Sequence, residues 1–460
     1  MRKGTAICFA LLALAVGVWA QVQPKPAFTD DERKAIVALW GEPGRYRIAA
    51  PPRAAAEGPW AVRLTPEASQ WFLAYQKAVK GADKVAPTQD ATAANVAWET
   101  WVKAKLAYDR WSATAAASMA NALARRGETG VGAFTSTPPP IPGPIPPDLL
   151  AAAGNPPPLA VAVAPLRATV VFPDGETFTY DDHVNNRERF GYYRLPQGTV
   201  AYGVGVGDMS DAELDPIFAA GMTPSEARAA KAVSKFEGGF ETVNTYDTGF
   251  ISIGFIQFIT GEDGAGSLLE VLSREKKDAS ASFELSFRRY GLDVTDDGAL
   301  ACVDPSTGAE LTGHDTVMKV IEDKRLTAIF QRAGRHDLAF RNAQVQVAKS
   351  HYWTADDPLT VTVGKRTLTG KVGDVVKSEA GMATLFDRKV NRGNIRPFPD
   401  VVASVMTAHN LTDLPAASAY ERDIIAQLKY RGDFLNDPNL GQPPAPPAPP
   451  VAPPPAPAAK

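Results

Sequence analysis

The sequence predicts an α+β protein that is mainly helical, and three features indicate this class. Long stretches with apolar residues at helical spacing fill most of the chain. Alternating β-branched and aromatic residues are confined to two short segments, residues 167–207 and 241–258. Two proline-rich stretches, residues 136–166 and 437–460, interrupt the helical pattern and bound the folded parts.

The first residues of the chain have the composition of a signal peptide. Two basic residues precede an apolar run from Ala6 to Trp19, and the small residue Ala20 suits cleavage after it. A retained membrane anchor is the alternative, but the run is short for a span. We therefore predict a secreted or periplasmic protein that loses residues 1–20 and has no transmembrane span after cleavage.

Composition excludes several kinds of partner and cofactor. The formal net charge of -3 gives no overall attraction to nucleic acid. Of the two cysteines, Cys8 lies in the predicted signal peptide, so Cys302 is alone in the mature chain and cannot form an internal disulfide. No two of the five histidines have a close metal-binding spacing. The sequence therefore predicts neither a metal nor a cofactor.

Residues 21–135 are predicted to form a helical N-terminal domain. Within it, Trp98, Trp101, Tyr108 and Trp111 fall on one face of a helix. Such a stripe is typical of a core or of a helix-pairing seam, and a sugar-stacking surface is the alternative.

The rest of the chain divides by composition. Residues 136–166 are predicted to be an extended, semi-rigid linker, because their prolines lack backbone donors. Residues 167–207 have the pattern of a small β element, and residues 208–436 are predicted to be helical with one β-like insert. Residues 437–460 form the tail, which is nearly all Pro and Ala from Gln442 onward. This composition predicts a disordered or polyproline spacer and offers one route to cell-wall association.

Glu237 is the residue that most strongly indicates chemistry. Thr223 and Glu226 form a capping box, and Pro224 suits the first position of a helix. The two glycines that follow Glu237 are expected to end that helix. Glu237 is therefore predicted to lie in the last helical turn.

Two effects are expected to raise the pKa of Glu237. The C-terminus of a helix carries partial negative charge, which disfavours a carboxylate. Ala230, Val233 and Glu237 share one stripe that is otherwise apolar, so the carboxyl should be partly desolvated. A carboxyl that is protonated at working pH can donate to a glycosidic oxygen. The alternative is a solvated carboxylate that merely precedes a glycine turn.

A β-hairpin is predicted directly after Glu237. Residues 241–247 are polar and β-prone, a turn follows, and residues 250–258 return as an apolar strand or a buried turn. Gly254 would let the backbone approach a bound sugar closely. Gln257 offers a donor and an acceptor within an otherwise apolar run.

This arrangement resembles the lysozyme-like superfamily, especially goose-type lysozymes and soluble lytic transglycosylases. Their shared pattern is a catalytic Glu that ends a helix, a β or loop excursion, and a Gly-Leu-Met-Gln-like motif, which here reads Gly254-Phe255-Ile256-Gln257. The resemblance covers residues 208–436, and its specific part is residues 224–263. The usual Glu-Ser pair is replaced by Glu237-Gly238. The resemblance implies a lysozyme-like two-lobed helical domain with a small β-hairpin insert.

A second resemblance lies in residues 381–393. They are similar to a C-terminal-lobe helix of chitosanases and some phage endolysins, in which an Asp-x-x-Val-x-x-Gly stretch closes the substrate cleft. This similarity implies that Asp387 and Asn391 contact substrate. An ordinary amphipathic helix with a glycine cap is the alternative.

Asp247 is the predicted catalytic partner of Glu237. Inverting glycosidases need a second carboxylate, about 6.5–9.5 Å from the acid, to activate water. Asp247 lies at the tip of the predicted hairpin, where the resemblance places an Asp. Lytic transglycosylases need no second carboxylate. The other candidate substrate contacts in the hairpin are Asn244, Thr245, Tyr246, Gly254 and Gln257.

The sequence thus predicts an exported enzyme that cleaves β-1,4 glycosidic bonds of peptidoglycan, either as a muramidase or as a lytic transglycosylase. Its expected partner is a polysaccharide, and no nucleic acid is expected. One alternative is a chitosanase-like hydrolase, which would need an acidic cleft for a cationic polymer. The other is a non-catalytic wall-binding or scaffold protein on the same fold, because fold alone does not secure activity.

Overall fold

The computed structural model describes residues 26–50, 61–82, 93–124, 136–163, 166–181 and 195–447. The predicted signal peptide and the end of the Pro/Ala-rich tail lie outside these ranges. The fold is α+β and mainly helical, as the sequence predicts. Among the described residues, no helix is both long enough and apolar enough to cross a bilayer.

The helices are distributed along the whole described chain. They are α1 (Asp30–Gly41), α2 (Pro66–Ala82), α3 (Ala93–Ala124), α4 (Pro147–Ala153), α5 (Asp211–Phe218), α6 (Pro224–Ser234), α7 (Ser267–Asp278), α8 (Ser280–Ser286), α9 (His314–Glu322), α10 (Lys324–His336), α11 (Leu338–Tyr352), α12 (Val372–Val375), α13 (Glu379–Arg392), α14 (Phe398–Ala408), α15 (Leu414–Ala417) and α16 (Glu421–Ala426).

The strands are short and pair in antiparallel fashion. They are β1 (Tyr46–Ala49), β2 (Ala61–Leu64), β3 (Ala160–Val163), β4 (Arg167–Val171), β5 (Thr177–Asp181), β6 (Val200–Ala201), β7 (Val243–Asn244), β8 (Ser252–Ile253), β9 (Phe258–Ile259), β10 (Leu292–Val294), β11 (Leu300–Val303), β12 (Glu310–Thr312), β13 (Pro358–Val363) and β14 (Arg366–Lys371). The sheets have the orders β1-β4-β5, β2-β3, β6-β7-β8-β9, β10-β11-β12 and β13-β14.

The N-terminal region contributes strands as well as helices. β1 pairs with β4, with Tyr46 opposite Val170, and β2 pairs with β3, with Leu64 opposite Ala160. Residues 21–135, predicted to be a helical domain, therefore share one sheet with β4, which follows the proline-rich segment, and another with β3, which lies near the end of that segment. One hydrophobic cluster runs from Phe28 near the start of the described chain to Leu440 near its end.

The proline-rich segment packs along the helix that carries the tryptophan stripe. Residues 136–146 are extended, with neither helix nor strand, as the composition predicts. The prediction of an extended linker is wrong for the rest of residues 136–166, because they form α4 (Pro147–Ala153) and β3 (Ala160–Val163). The indole Nε1 of Trp101 donates to the carbonyl oxygen of Gly143 at 2.8 Å, and that of Trp111 donates to Ser136 at 3.0 Å. The stripe is part of the core at Trp98, as one of the two interpretations predicts, while Trp101 and Trp111 also hold the proline-rich segment, which neither interpretation predicts.

The burial pattern of this segment shows which side faces the protein. Pro139, Pro142 and Ile145 are half-buried, whereas most of the residues between them are exposed. A spacing of three residues matches the three residues per turn of a polyproline II helix. One ridge of the extended segment therefore lies against the protein, and the segment is anchored along its length.

Trp101→Phe tests this anchoring, because it removes the indole donor while keeping an aromatic ring. We expect the free energy of unfolding to fall by about 1 kcal/mol, the usual net value of one hydrogen bond. Urea denaturation measures this change. Val96→Ala, at an exposed position of α3, is the matched control and should change stability much less. Equal stability of Trp101→Phe and wild type would contradict the proposed anchoring role.

The C-terminal part of the chain has a second hydrophobic cluster. It contains the hairpin β13–β14 together with residues of α12 to α16, from Leu359 to Leu428. α13 bridges the two clusters, because its Met382 and Leu385 belong to the second one while Phe386 belongs to the first. The same helix packs against α6, and this contact builds the candidate site.

Candidate functional site

Glu237 lies in the turn that follows α6. The capping box of Thr223 and Glu226 starts this helix, as predicted. The helix ends at Ser234, and the backbone N–H groups of Glu237 and Gly238 both donate to the carbonyl oxygen of Ser234 at 2.9 Å. The placement of Glu237 in the last helical turn is therefore wrong by three residues, because a tighter turn closes the helix before the glycines.

The two oxygens of the Glu237 carboxyl have different surroundings. Oε1 lies 2.6 Å from Nη2 of Arg431 and accepts a hydrogen bond from Nδ2 of Asn391 at 3.3 Å. Oε2 has no hydrogen-bond partner among the described residues. It is also not among the fully enclosed polar atoms without a partner, so it keeps some contact with solvent. Because the side chain keeps 13% of its exposure, Oε2 is the oxygen that a ligand can reach.

Asp387 on α13 positions both groups that hold Glu237. Its carboxylate is 1% exposed, and its Oδ1 accepts from Nε of Arg431 at 2.9 Å and from Nη2 at 2.6 Å. The same Oδ1 accepts from Nδ2 of Asn391 at 3.2 Å. The sequence predicts that Asp387 and Asn391 both contact substrate. Asn391 is exposed, so this contact stays a prediction for it, whereas the buried carboxylate of Asp387 has no surface for a substrate. Asn391 touches Glu237, whereas Asp387 is buried behind it and acts through Arg431.

Burial raises the pKa of Glu237 above its ordinary value. Arg431 and Asn391 act in the opposite direction, because they stabilise the ionised form, and the nearby charge of Asp387 adds a smaller upward effect. The shift has the direction that the sequence indicates. The main cause of the shift is burial of the carboxyl where the turn after α6 contacts α13.

An exposed aromatic ring adjoins the carboxyl. Phe236 is 46% exposed, and its ring packs edge-on against Phe434 with centroids 6.0 Å apart. The guanidinium of Arg431 lies 5.4 Å from the ring centroid of Phe236. Arg431 is therefore held by two carboxylates and a ring, which fixes its orientation toward Glu237.

Asp247 lies in the turn between β7 and β8, where the sequence predicts it. Its Oδ2 accepts from Nδ2 of Asn244 and its Oδ1 from the backbone N–H of Gly249, both at 2.9 Å. These contacts shape the turn. Among the described residues, no hydrogen bond or ion pair joins Asp247 to Glu237.

The neighbours of Asp247 have structural contacts of their own. Thr245 is fully buried and accepts from the backbone N–H of Thr199 at 3.0 Å, so it has no surface for a substrate. The prediction that Thr245 contacts a sugar is therefore not supported, because its hydroxyl joins two segments of the sheet. Asn244 accepts from the backbone N–H of Tyr246 at 3.1 Å, and both residues are half-buried.

Gly254 and Gln257 form a tight turn of their own. Gly254 has φ of 87°, and a Cβ there would lie 2.1 Å from Oε1 of Gln344. The close neighbour that requires glycine is thus a buried glutamine of α11, in place of the predicted sugar. Nε2 of Gln257 donates to the carbonyl oxygen of Gly254 at 3.0 Å, so its amide closes the same turn.

Sequence reasoning missed Arg431, the residue in closest contact with the candidate acid. It lies after α16 in a segment without helix or strand, and no local motif marks it. Only the packing of this segment against α13 brings its guanidinium to Glu237.

The side chain of Glu237 is partly exposed at the surface. Four cavities among the described residues have volumes of about 250 to 480 Å³, and Glu237 lines none of these four. Within the described part of the chain, no group of three or more His, Cys, Asp or Glu side chains could hold a metal ion.

Comparison of the chain with protein-family models, with curated proteins and with solved structures finds no match. The function is therefore argued from the chemistry of the site.

Proposed function

We propose that this protein is an exported enzyme that cleaves the glycan strands of peptidoglycan, with Glu237 as the general acid. The observation that carries the proposal is the state of the Glu237 carboxyl. Burial raises its pKa, and Oε2 stays within reach of a ligand. A carboxylic acid that keeps its proton near working pH and can reach the leaving oxygen is what acid catalysis requires.

In the protonated form of Glu237 that this proposal requires, the contacts of Oε1 favour a proton on the other oxygen. Arg431 and Asn391 both offer donors to Oε1, and a proton on that atom would oppose them. The acidic hydrogen is therefore expected on Oε2. In this proposal Arg431 and Asn391 are positioning residues that orient the acid toward the glycosidic oxygen.

The chemistry after proton transfer depends on Asp247. In a hydrolase, this carboxylate would activate the attacking water. Its two contacts within the turn use only part of its capacity, since an ionised carboxylate has about four acceptor sites. In a lytic transglycosylase, a hydroxyl of the substrate attacks instead, and Asp247 has no catalytic role.

The experiment that tests the proposal is digestion of purified peptidoglycan by the wild-type protein, followed by mass analysis of the soluble fragments. Reducing ends indicate a hydrolase, and anhydro-muramyl ends indicate a transglycosylase. The absence of any soluble fragment from a folded protein would overturn the proposed activity.

Asp247→Asn separates the two chemistries. If Asp247 activates water, the variant should lose about 10²-fold or more in cleavage rate, because general base catalysis typically contributes this much. A transglycosylase should keep most of its activity. The release of fragments from peptidoglycan measures both outcomes, and thermal unfolding checks that the turn survives the loss of one charge.

A non-catalytic wall-binding protein is the second candidate, and one observation favours it. Glu237 is paired with Arg431, which Asp387 also holds, and such a network can serve packing alone. If the protein only binds the wall, it should sediment with peptidoglycan without releasing fragments.

A further inference from the structure

Two arginines of α13 enclose an exposed aromatic ring beside the candidate site. The guanidinium of Arg392 lies 4.5 Å from the ring centroid of Tyr430, and that of Arg388 lies 5.8 Å from it. Tyr430 is 38% exposed, so the ring still presents part of its surface to solvent. Arg388 and Arg392 are one helical turn apart, which places them on the same side of α13.

Neither arginine is neutralised by a carboxylate contact among the described residues. Arg388 is 6% exposed and donates to the backbone carbonyl oxygens of Leu428, at 2.9 Å, and Arg396. Its Nε is enclosed and has no hydrogen-bond partner. Arg392 is exposed, and its guanidinium contacts the Tyr430 ring without an ion pair in the described structure.

The nearest carboxylate along α13 is already committed elsewhere. Asp387 precedes Arg388, but its Oδ1 is held by Arg431 and Asn391. Arg392 therefore presents positive charge at the surface without a carboxylate partner among the described residues, and Arg388 lies buried on the same side of the helix. Burial and the charge of Arg392 lower the pKa of Arg388, and these effects outweigh the opposite effect of the charge of Asp387.

This charge lies next to the groups that hold the candidate acid. Asn391, which touches Glu237, directly precedes Arg392 on α13. Arg431, which also touches Glu237, directly follows Tyr430. The same two segments thus carry the groups that hold Glu237 and the residues of the cationic surface.

We propose that Arg392, with Arg388 behind the Tyr430 ring, forms a subsite for carboxylate groups carried by the glycan. The location of the cleaved bond beside this subsite rests on the proposed function. A guanidinium matches a carboxylate through paired hydrogen bonds, and stacking on Tyr430 holds its plane in place. Peptidoglycan carries carboxylates on its peptides, whereas chitosan is a polycation that these arginines would repel. The subsite therefore selects acidic glycans.

Binding to two forms of one polymer tests this subsite. Purified peptidoglycan is used either intact or after conversion of its carboxylates to amides, so that charge changes while the glycan strand does not. The protein carries Glu237→Gln to prevent digestion, and sedimentation gives the dissociation constant. We expect amidation to weaken binding about tenfold, because charge-assisted pairs are the strong ones.

Arg392→Gln, made in the Glu237→Gln protein, completes a double-mutant cycle in which one change is in the protein and the other is amidation of the polymer. Arg392→Gln should weaken binding to intact peptidoglycan by about the same factor and leave binding to the amidated polymer unchanged. Lys365→Gln is the control, because it removes one positive charge from the exposed turn between β13 and β14. It should bind both polymers as tightly as the parent, which is the protein that carries only Glu237→Gln.

Three outcomes would overturn the subsite. They are equal binding of the parent to intact and amidated peptidoglycan, equal binding of Arg392→Gln and the parent to the intact polymer, and tighter binding to chitosan than to peptidoglycan. The proposed catalytic function fails separately. If wild-type protein releases no fragments but the charge-dependent binding is present, the subsite stands and the enzyme assignment falls.

Discussion

Replacement of Glu237 by glutamine is expected to lower peptidoglycan cleavage by about 10²- to 10⁴-fold, the range that a positioned general acid supplies. Glutamine has the shape of the protonated acid, and its oxygen can still accept from Arg431 and Asn391 at the position of Oε1. Its amide group cannot transfer a proton to a leaving oxygen. The chemical step should therefore fail while the turn after α6 keeps its contacts.

Turbidity loss and fragment release measure this effect, and far-ultraviolet circular dichroism reports on folding. Glu262→Gln is a suitable control, since Glu262 is a partly exposed carboxylate whose side chain lies 3.2 Å from Nζ of Lys77. The control should keep wild-type activity. If Glu237→Gln cleaves as fast as the control, Glu237 is not the acid. If both variants and the wild type bind but do not cleave, the wall-binding candidate is favoured.

Local patterns in the sequence predicted those features of the site that neighbouring residues determine. The capping box of Thr223 and Glu226 starts α6, and a hairpin follows Glu237, because each depends on a few adjacent residues. The sequence predicts that α6 ends three residues later than it does. The turn is closed by backbone hydrogen bonds to Ser234, and the two glycines alone do not specify these bonds.

Features that join distant segments were not predictable in the same way. Arg431 reaches Glu237 only because α13 and the segment after α16 pack together, and nothing in its own neighbourhood indicates this. Gly254 illustrates the same limit. The sequence predicts that the backbone at Gly254 approaches another group closely, but that group is Gln344 of α11 and not a ligand.

The tryptophan stripe and the proline-rich segment were each recognised, but their contact was not. Trp101 and Trp111 are typical of a buried helical face, and residues 136–146 are typical of a free linker. Each pattern has an ordinary explanation alone. Their hydrogen bonds to Gly143 and Ser136 arise from the tertiary fold.

Replacement of Glu275 by glutamine is expected to stabilise the protein at neutral pH. Glu275 lies on α7 and is 1% exposed, and both of its carboxyl oxygens are enclosed beside the carboxylate of Asp337. Burial raises its pKa from 4.5 to about 10, and the neighbouring carboxylate of Asp337 contributes in the same direction. Asp337 is itself fixed at the start of α11, where it accepts from the backbone N–H groups of Ala339 and Phe340.

The sign of the pH effect follows from these two pKa values. Between pH 4.5 and about 10, Glu275 is ionised in the unfolded chain but holds a proton in the folded protein. Folding then takes up a proton, so stability falls as pH rises through this window, by about 1.4 kcal/mol per pH unit for one group. Glutamine has no proton to take up, and it can occupy the same volume.

Urea denaturation of both proteins from pH 5 to pH 9 measures the difference. We expect Glu275→Gln to be about 1–3 kcal/mol more stable than wild type at pH 7, since the linkage value is an upper bound and the amide must still be buried. The advantage should vanish near pH 5. Glu284→Gln, at a half-exposed carboxylate near Arg288, should leave the pH slope as in the wild type. An unchanged slope in Glu275→Gln would mean that Glu275 is ionised in the folded protein and that its pair with Asp337 is opened to solvent.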